Sequence, residues 1–105
     1  MNPVRLTALA AAFASSVLSA PVPADEALVR RHNCVLCHEL EKTYIGPGFH
    51  EVAQRYKGQA DAAPALYEKV RKGGAGVWGK AAMPPNRAVP ADDIRKIVDW
   101  VLKSD

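Results

Sequence analysis

Cys34-Val35-Leu36-Cys37-His38 constrains this chain more than any other stretch. Two cysteines three apart with a histidine directly after them form the attachment signature of a c-type haem. On a helix, positions i, i+3 and i+4 share a face, so Cys34, Cys37 and His38 can address one object. The two thiols can add to two vinyl groups as thioethers, and the imidazole can reach the iron from the same side. Two other readings of the cysteine pair are a redox disulfide and half of a zinc site. Zinc needs two more ligands, but the chain has no other cysteine, and His32 and His50 lack paired spacing. A thioredoxin-like motif wants βαβ patterning, which is absent from the sequence.

The 105 residues allow one domain at most. Residues 1–24 are expected to lie outside it. Asn2-Pro3-Val4-Arg5 supplies a short positive start, Leu6 to Leu18 is apolar or small, and Val22-Pro23-Ala24 offers a small-residue cut before Asp25. A cut after Ala20 would be followed by Pro21, which is unfavourable. The apolar run falls short of the roughly 18 residues of a membrane span, which sets a secretory signal above an uncleaved anchor. The domain is then residues 25–105.

Loss of Arg5 alone lowers the formal net charge of +3 by one. That excess is too small to argue for nucleic acid. It suits a positive patch that guides an acidic partner. A domain of this size is near the limit for burying its own core. A haem that brought ~500 Å² of apolar surface inside would add on the order of 12 kcal/mol at ~25 cal/mol per Å². That rivals a typical whole-domain stability of ~5–15 kcal/mol, so the chain without haem is expected to be largely unfolded. Exported cysteines usually pair; here they must stay reduced until the haem is attached.

Four short helices are expected, with no convincing strand. The first runs from Asp25 or Glu26 to the motif, with Asp25 as N-cap, Arg30 and Arg31 solvated and His32 on the surface. Glu39 to Thr43 is a polar connector into the Tyr44-Ile45-Gly46-Pro47-Gly48 turn. A ligand histidine needs its second ring nitrogen held by an acceptor, and the Pro47 carbonyl is the candidate for His38. Composition alone does not separate that from an ordinary turn.

Phe49, Val52, Ala53 and Tyr56 make the stripe of a second helix, with His50 facing solvent. Asp61 to Pro64 opens a third, in which Leu66, Tyr67 and Val70 face inward. Lys69, Arg71 and Lys72 suit its negative end, and Gly73-Gly74 stops it. Ala75 to Pro90 is a loop rich in glycine and proline, and a loop of this length in a small domain usually has a job. A lone methionine is more often core filler, but Met83 is the only one left after Met1 and sits in a proline loop. It is the candidate sixth iron ligand. Ile94, Ile97, Val98 and Val101 mark a last helix, expected to pack across the first.

The ordered set of Cys34 to His38, Gly46-Pro47, Val52-Ala53 with Tyr56, Gly76-Val77-Trp78-Gly79, Met83-Pro84-Pro85-Asn86 and Trp100-Val101-Leu102 resembles a small bacterial monohaem class I cytochrome c. The likeness spans the mature chain and is closest to the carriers that donate electrons to terminal oxidases and nitrite reductases. It implies an all-α fold around one covalent haem c, with Cys34 and Cys37 as attachment points and His38 and Met83 as axial ligands. It further implies that the Pro47 carbonyl holds His38, that Trp78 hydrogen-bonds a haem propionate, that Lys69 lies near a propionate, and that Asn86 supports Met83. Relatives tend to carry arginine at position 69, and lysine lacks its bidentate geometry.

With both axial positions filled, electron transfer is the expected activity and enzymatic turnover is not. Soft thioether sulfur, Met/His ligation and a low-dielectric setting all favour ferrous iron. The expected protein is a soluble, monomeric periplasmic carrier between a quinol-oxidising complex and a terminal oxidase or reductase, without nucleic-acid binding or stable membrane insertion. Lys42, Lys57, Lys72 and Lys80 are candidates for a cationic ring about the haem edge. The alternatives are a subunit of a larger oxidoreductase, or a haem from which Met83 departs to admit a small ligand.

Overall fold

The structure, a computed structural model, describes residues 3, 9–20 and 24–105. Of the expected signal segment, residues 1–2 and 4–8, with Arg5 and the start of the apolar run, and the Pro21-Val22-Pro23 stretch before the cut lie outside the described residues. Residues 9–20 are exposed and carry no regular secondary structure.

Four α-helices follow: α1 (Ala24–Arg31), α2 (Phe49–Arg55), α3 (Ala62–Lys72) and α4 (Ala91–Leu102). No strand forms among the described residues, and one isolated bridge pairs Gly74 with Met83. None of the described helices is long and apolar enough to cross a membrane.

The organising element is α4. Ile94, Ile97, Val98 and Val101 bury its apolar stripe. It touches each of the other three helices, α1 among them as expected. Pro90 precedes it without cost, because the N-cap position contributes its carbonyl: the Pro90 oxygen accepts from Ile94 N at 3.1 Å. Asp92 and Asp93 then sit at the positive end of the dipole. Val29 from α1 and Phe49 and Val52 from α2 close the core against Ile97 and Val101. Trp100 meets Phe49 edge-on, with ring centroids 5.4 Å apart.

Three expectations about α1 change. The helix begins at Ala24, so Asp25 lies in its first turn and is not the N-cap. It ends at Arg31 rather than running into the motif. Asn33 adopts a left-handed conformation (φ 62°, ψ 21°), which asparagine tolerates better than most residues. The motif is therefore a separate 3-10 turn, Cys34–Leu36. Finally, His32 is not a surface residue. Its side chain is 17% exposed, with Nε2 2.9 Å from Asp93 Oδ2, which ties the end of α1 to the start of α4.

Elsewhere the differences are smaller. α2 ends at Arg55 with Tyr56 as its C-cap residue, and His50 is half-buried rather than free in solvent. The inward residues of α3, Leu66, Tyr67 and Val70, are also only half-buried. Leu66 and Val70 line a cleft, and Leu66 also packs against the core.

Candidate haem site

The cleft has an empty volume of about 1350 Å³, open mouth included. Its first wall is built by the motif turn. The Cys34 carbonyl accepts from both Cys37 N (3.2 Å) and His38 N (3.0 Å). That tight turn, not an α-helical face, gathers the three residues. Cys37 is the C-cap of this turn, which leaves its side chain near that of Cys34. Both are half-buried free thiols lining the cleft. Burial pushes the Cys34 thiol above its ordinary value, against a backbone hydrogen bond that lowers it, and nearby Cys37 raises it further. A redox-active cysteine needs the opposite, a stabilised thiolate.

His38 is fixed from three directions. Its Nδ1 lies 2.7 Å from the Pro47 carbonyl oxygen. A carbonyl only accepts, so Nδ1 carries the proton and Nε2 keeps a lone pair free for a metal. Phe49 stacks on the imidazole, with centroids 5.3 Å apart and planes 19° from parallel. Gly46 lies against the ring, and a Cβ there would come within 2.6 Å of His38 Cε1. The turn itself is closed by Gly46 N donating to the Cys37 carbonyl at 2.8 Å.

Met83 lines the cleft from a different wall, held by α3 and its end. Gly74 and Met83 exchange backbone hydrogen bonds of 3.0 and 2.8 Å. Gly73, at φ 70°, lets the chain pass so close that a Cβ would run into the Met83 carbonyl oxygen. The Asn86 side chain makes its hydrogen bonds to backbone and none to the methionine sulfur. Its backbone N–H and its side-chain Nδ2 both donate to the Val70 carbonyl at 3.1 Å, and Nδ2 also reaches the Pro84 carbonyl at 3.2 Å. Asn86 thus shapes the loop that presents Met83.

Trp78 and Lys69 complete the rim. The Arg55 guanidinium carbon sits 4.6 Å from the centroid of the Trp78 ring, and Arg55 Nη1 donates to the Val77 carbonyl at 3.0 Å. The Lys69 amine lies over Gly74, 2.7 Å from where a Cβ there would be. All eight residues singled out from the sequence therefore line one cleft.

Three contributors were missed. His32 lines the cleft but reads as surface, because its partner Asp93 is 61 residues away. Arg55 is not singled out from the sequence at all. Arg71 reads as a residue that suits the helix dipole. In the structure its Nη1 lies 3.2, 2.9 and 2.8 Å from the carbonyls of Asn86, Arg87 and Val89. No sequence signal links it to that loop. Of the four candidate ring lysines, all exposed, Lys57 pairs with Asp105 at 3.4 Å and Lys72 with Glu68 at 2.8 Å. Lys42 and Lys80 have no ion-pair partner among the described residues.

The residues fit a haem. Among the described residues no group of three or more His, Cys, Asp or Glu could hold a bare metal ion. One imidazole, one thioether, two thiols and an apolar wall that includes Val52, Leu66 and Ile97 complement a macrocycle that brings its own four equatorial donors.

Comparison with known proteins agrees. A family model described as Cytochrome c matches residues 26–105. The chain is 41% identical to cytochrome c-551 of Allochromatium vinosum over 91 residues, covering 87% of this chain and 97% of that one. It is 38% identical to cytochrome c-552 of Nitrosomonas europaea over 98 residues, covering 91% and 95%. A crystal structure of wild-type Nitrosomonas europaea cytochrome c552 superposes with a TM-score of 0.74 at 36% identity, covering 76% of this chain and 99% of that one. With the all-α architecture and this cleft, these matches place the chain in the cytochrome c family, among the small class I monohaem members that bind haem c covalently.

Proposed function

We propose that residues 25–105 form a periplasmic one-electron carrier of a respiratory chain, released from a secretory signal at residues 1–24. Cys34 and Cys37 hold the haem as thioethers, and His38 and Met83 ligate its iron. When bound, the haem supplies a ferric/ferrous couple. The chain's own residues do the rest. His38 offers a neutral Nε2 because Pro47 holds the Nδ1 proton. Met83 fills the position that oxygen or peroxide would need, so the protein carries electrons and does not act as an enzyme. Trp78 and Lys69, which line the cleft, would hold the haem propionates, and Asn86 shapes the methionine loop.

The observation that carries this reading is the His38–Pro47 bond of 2.7 Å in the same cleft as Met83. Ile45 and Val77 line that cleft and stay about half exposed (50% and 40%), which makes its mouth apolar. Together with Lys42 and Lys80, that mouth suits brief docking to acidic faces of a quinol-oxidising complex and of a terminal oxidase or reductase.

Absorption spectra of both redox states test the ligands. A long-wavelength band in the ferric form that vanishes in Met83→Ala supports the sulfur ligand. Rapid stoichiometric binding of carbon monoxide by the reduced wild type at neutral pH would instead indicate an open, ligand-binding haem. Intact mass of the exported protein tests the signal: a mass that includes Met1 to Ala24 rejects the cut.

A further inference from the structure

We infer that Arg71 is the positioning residue that keeps Met83 on the iron, and so sets how readily the axial site opens to an outside ligand. The inference rests on the proposed ligation by Met83. Its basis is the anatomy of the loop after that residue. Pro84 and Pro85 have no N–H, so they contribute no donors to hold the segment down. The next four residues are tied to α3 at two places: Asn86 donates twice to the Val70 carbonyl at the near end, and one guanidinium holds the rest of the segment. A single nitrogen, Nη1, spans the carbonyls of Asn86, Arg87 and Val89. The other nitrogen, Nη2, donates to Tyr67 Oη at 3.3 Å.

The guanidinium is itself held in place. Its central carbon lies 5.8 Å from the centroid of the Tyr67 ring, whose surroundings also include Arg95 at 5.2 Å. A guanidinium braced in this way loses little freedom when Nη1 shares its two N–H groups among three oxygens, and those bonds are charge-assisted. The Gly74 bridge acts on the backbone of Met83 itself. Arg71 acts three to six residues further on, where the loop must swing if the sulfur is to leave. Breaking the Arg71 contacts is part of opening the axial site, so their loss raises the population of open protein.

A purely structural arginine would change global stability without changing axial ligand exchange. The test uses the haem-loaded protein in the ferric state and follows binding of imidazole by its absorption change. Arg71→Leu is expected to bind imidazole at least tenfold faster than wild type while keeping the long-wavelength band when no imidazole is present. Arg71→Lys, which has one donor centre in place of the fork, is expected to fall between them. Arg95→Leu removes the other cation beside Tyr67 and touches no loop carbonyl; it should stay within twofold of wild type. Thermal melts of all three run alongside.

A rate in Arg71→Leu within twofold of wild type overturns the inference, and so does an equal acceleration in Arg95→Leu. Should Arg71→Leu fail to accumulate as folded holoprotein, Arg71→Lys decides, and a wild-type rate there also overturns it. Met83→Ala separates this failure from that of the underlying reading. A band that survives Met83→Ala removes the ligand assignment and the inference with it; a band that is lost, beside unchanged rates in Arg71→Leu, removes only the inference.

Discussion

The two walls of the cleft are built in different ways. The histidine wall is made within a short span of sequence. The motif turn, the Gly46 closure and the Pro47 acceptor lie between Cys34 and Gly48, and Phe49, the next residue, stacks on the ring. The methionine wall is made at a distance. Met83 depends on Val70 and Arg71 from the far end of α3 and on Gly73 and Gly74 just after it. A wall closed over short loops loses little chain entropy on forming, and the two cysteines proposed to anchor the haem lie just before His38 in the same turn. The other wall depends on hydrogen bonds that can open singly. The histidine should therefore outlast the methionine under almost any perturbation.

Removing the haem should erase both walls at once, and it gives the largest effect expected here. Only nine residues among those described form the buried apolar core, and many of the half-buried ones face the cleft. Far-ultraviolet circular dichroism of the haem-free chain should show little helix and no cooperative urea transition. A native-like, cooperative transition would show that the four helices stand without the group they enclose.

Phe49→Ala comes next and strikes the histidine wall. Phe49 is buried, stacks on His38 and meets Trp100, so its truncation leaves a cavity at the junction of wall and core. The expected loss is ~3–5 kcal/mol in urea denaturation of the holoprotein. The methionine-dependent band should persist until the protein unfolds. Gly73→Ala strikes the other wall, and there the order should reverse. A Cβ at φ 70° would meet the Met83 carbonyl oxygen, with Pro85 N only 2.8 Å away. The backbone strain costs ~1–3 kcal/mol. That is less than for Phe49→Ala, yet the band should weaken or vanish already at neutral pH without denaturant. If both variants lose the band together with global structure, the walls are not independent.

The same contrast explains what the sequence disclosed. Cys34, Cys37, His38 and Pro47 were legible because their chemistry is local and their spacing is short. The helix stripes were legible because period and burial agree: Ile94, Ile97, Val98 and Val101 are all buried. Met83 stood out by elimination and by its prolines. Arg71, Arg55 and His32 did not stand out, since each takes its role from partners 15 to 61 residues away. The helical reading of the motif failed on one residue, Asn33, whose left-handed conformation stops α1 before Cys34.

The smallest effect expected lies at the outer edge of the histidine wall. Glu51, in the first turn of α2, accepts from the Thr43 hydroxyl at 2.6 Å, from Thr43 N at 3.2 Å and from Gly48 N at 3.1 Å. The Thr43 hydroxyl first, and the Gly48 N–H after it, hold this carboxyl below its ordinary value of 4.5. A carboxyl whose folded value is depressed contributes stability that is fully present above its unfolded value and is lost as pH falls through the folded one. Wild type should therefore exceed Glu51→Gln in urea midpoint at pH 7, and the gap should close on acidification below the ordinary carboxylate range. Because Glu51 is only half-buried, solvent screens the contribution and the gap should be small. Its location is the informative part. Thr43 and Gly48 bracket the Gly46-Pro47 turn, so loosening them should lower stability while leaving the methionine-dependent band intact. A band that fades in Glu51→Gln at neutral pH would mean that strain crosses the cleft from the histidine side to the methionine side.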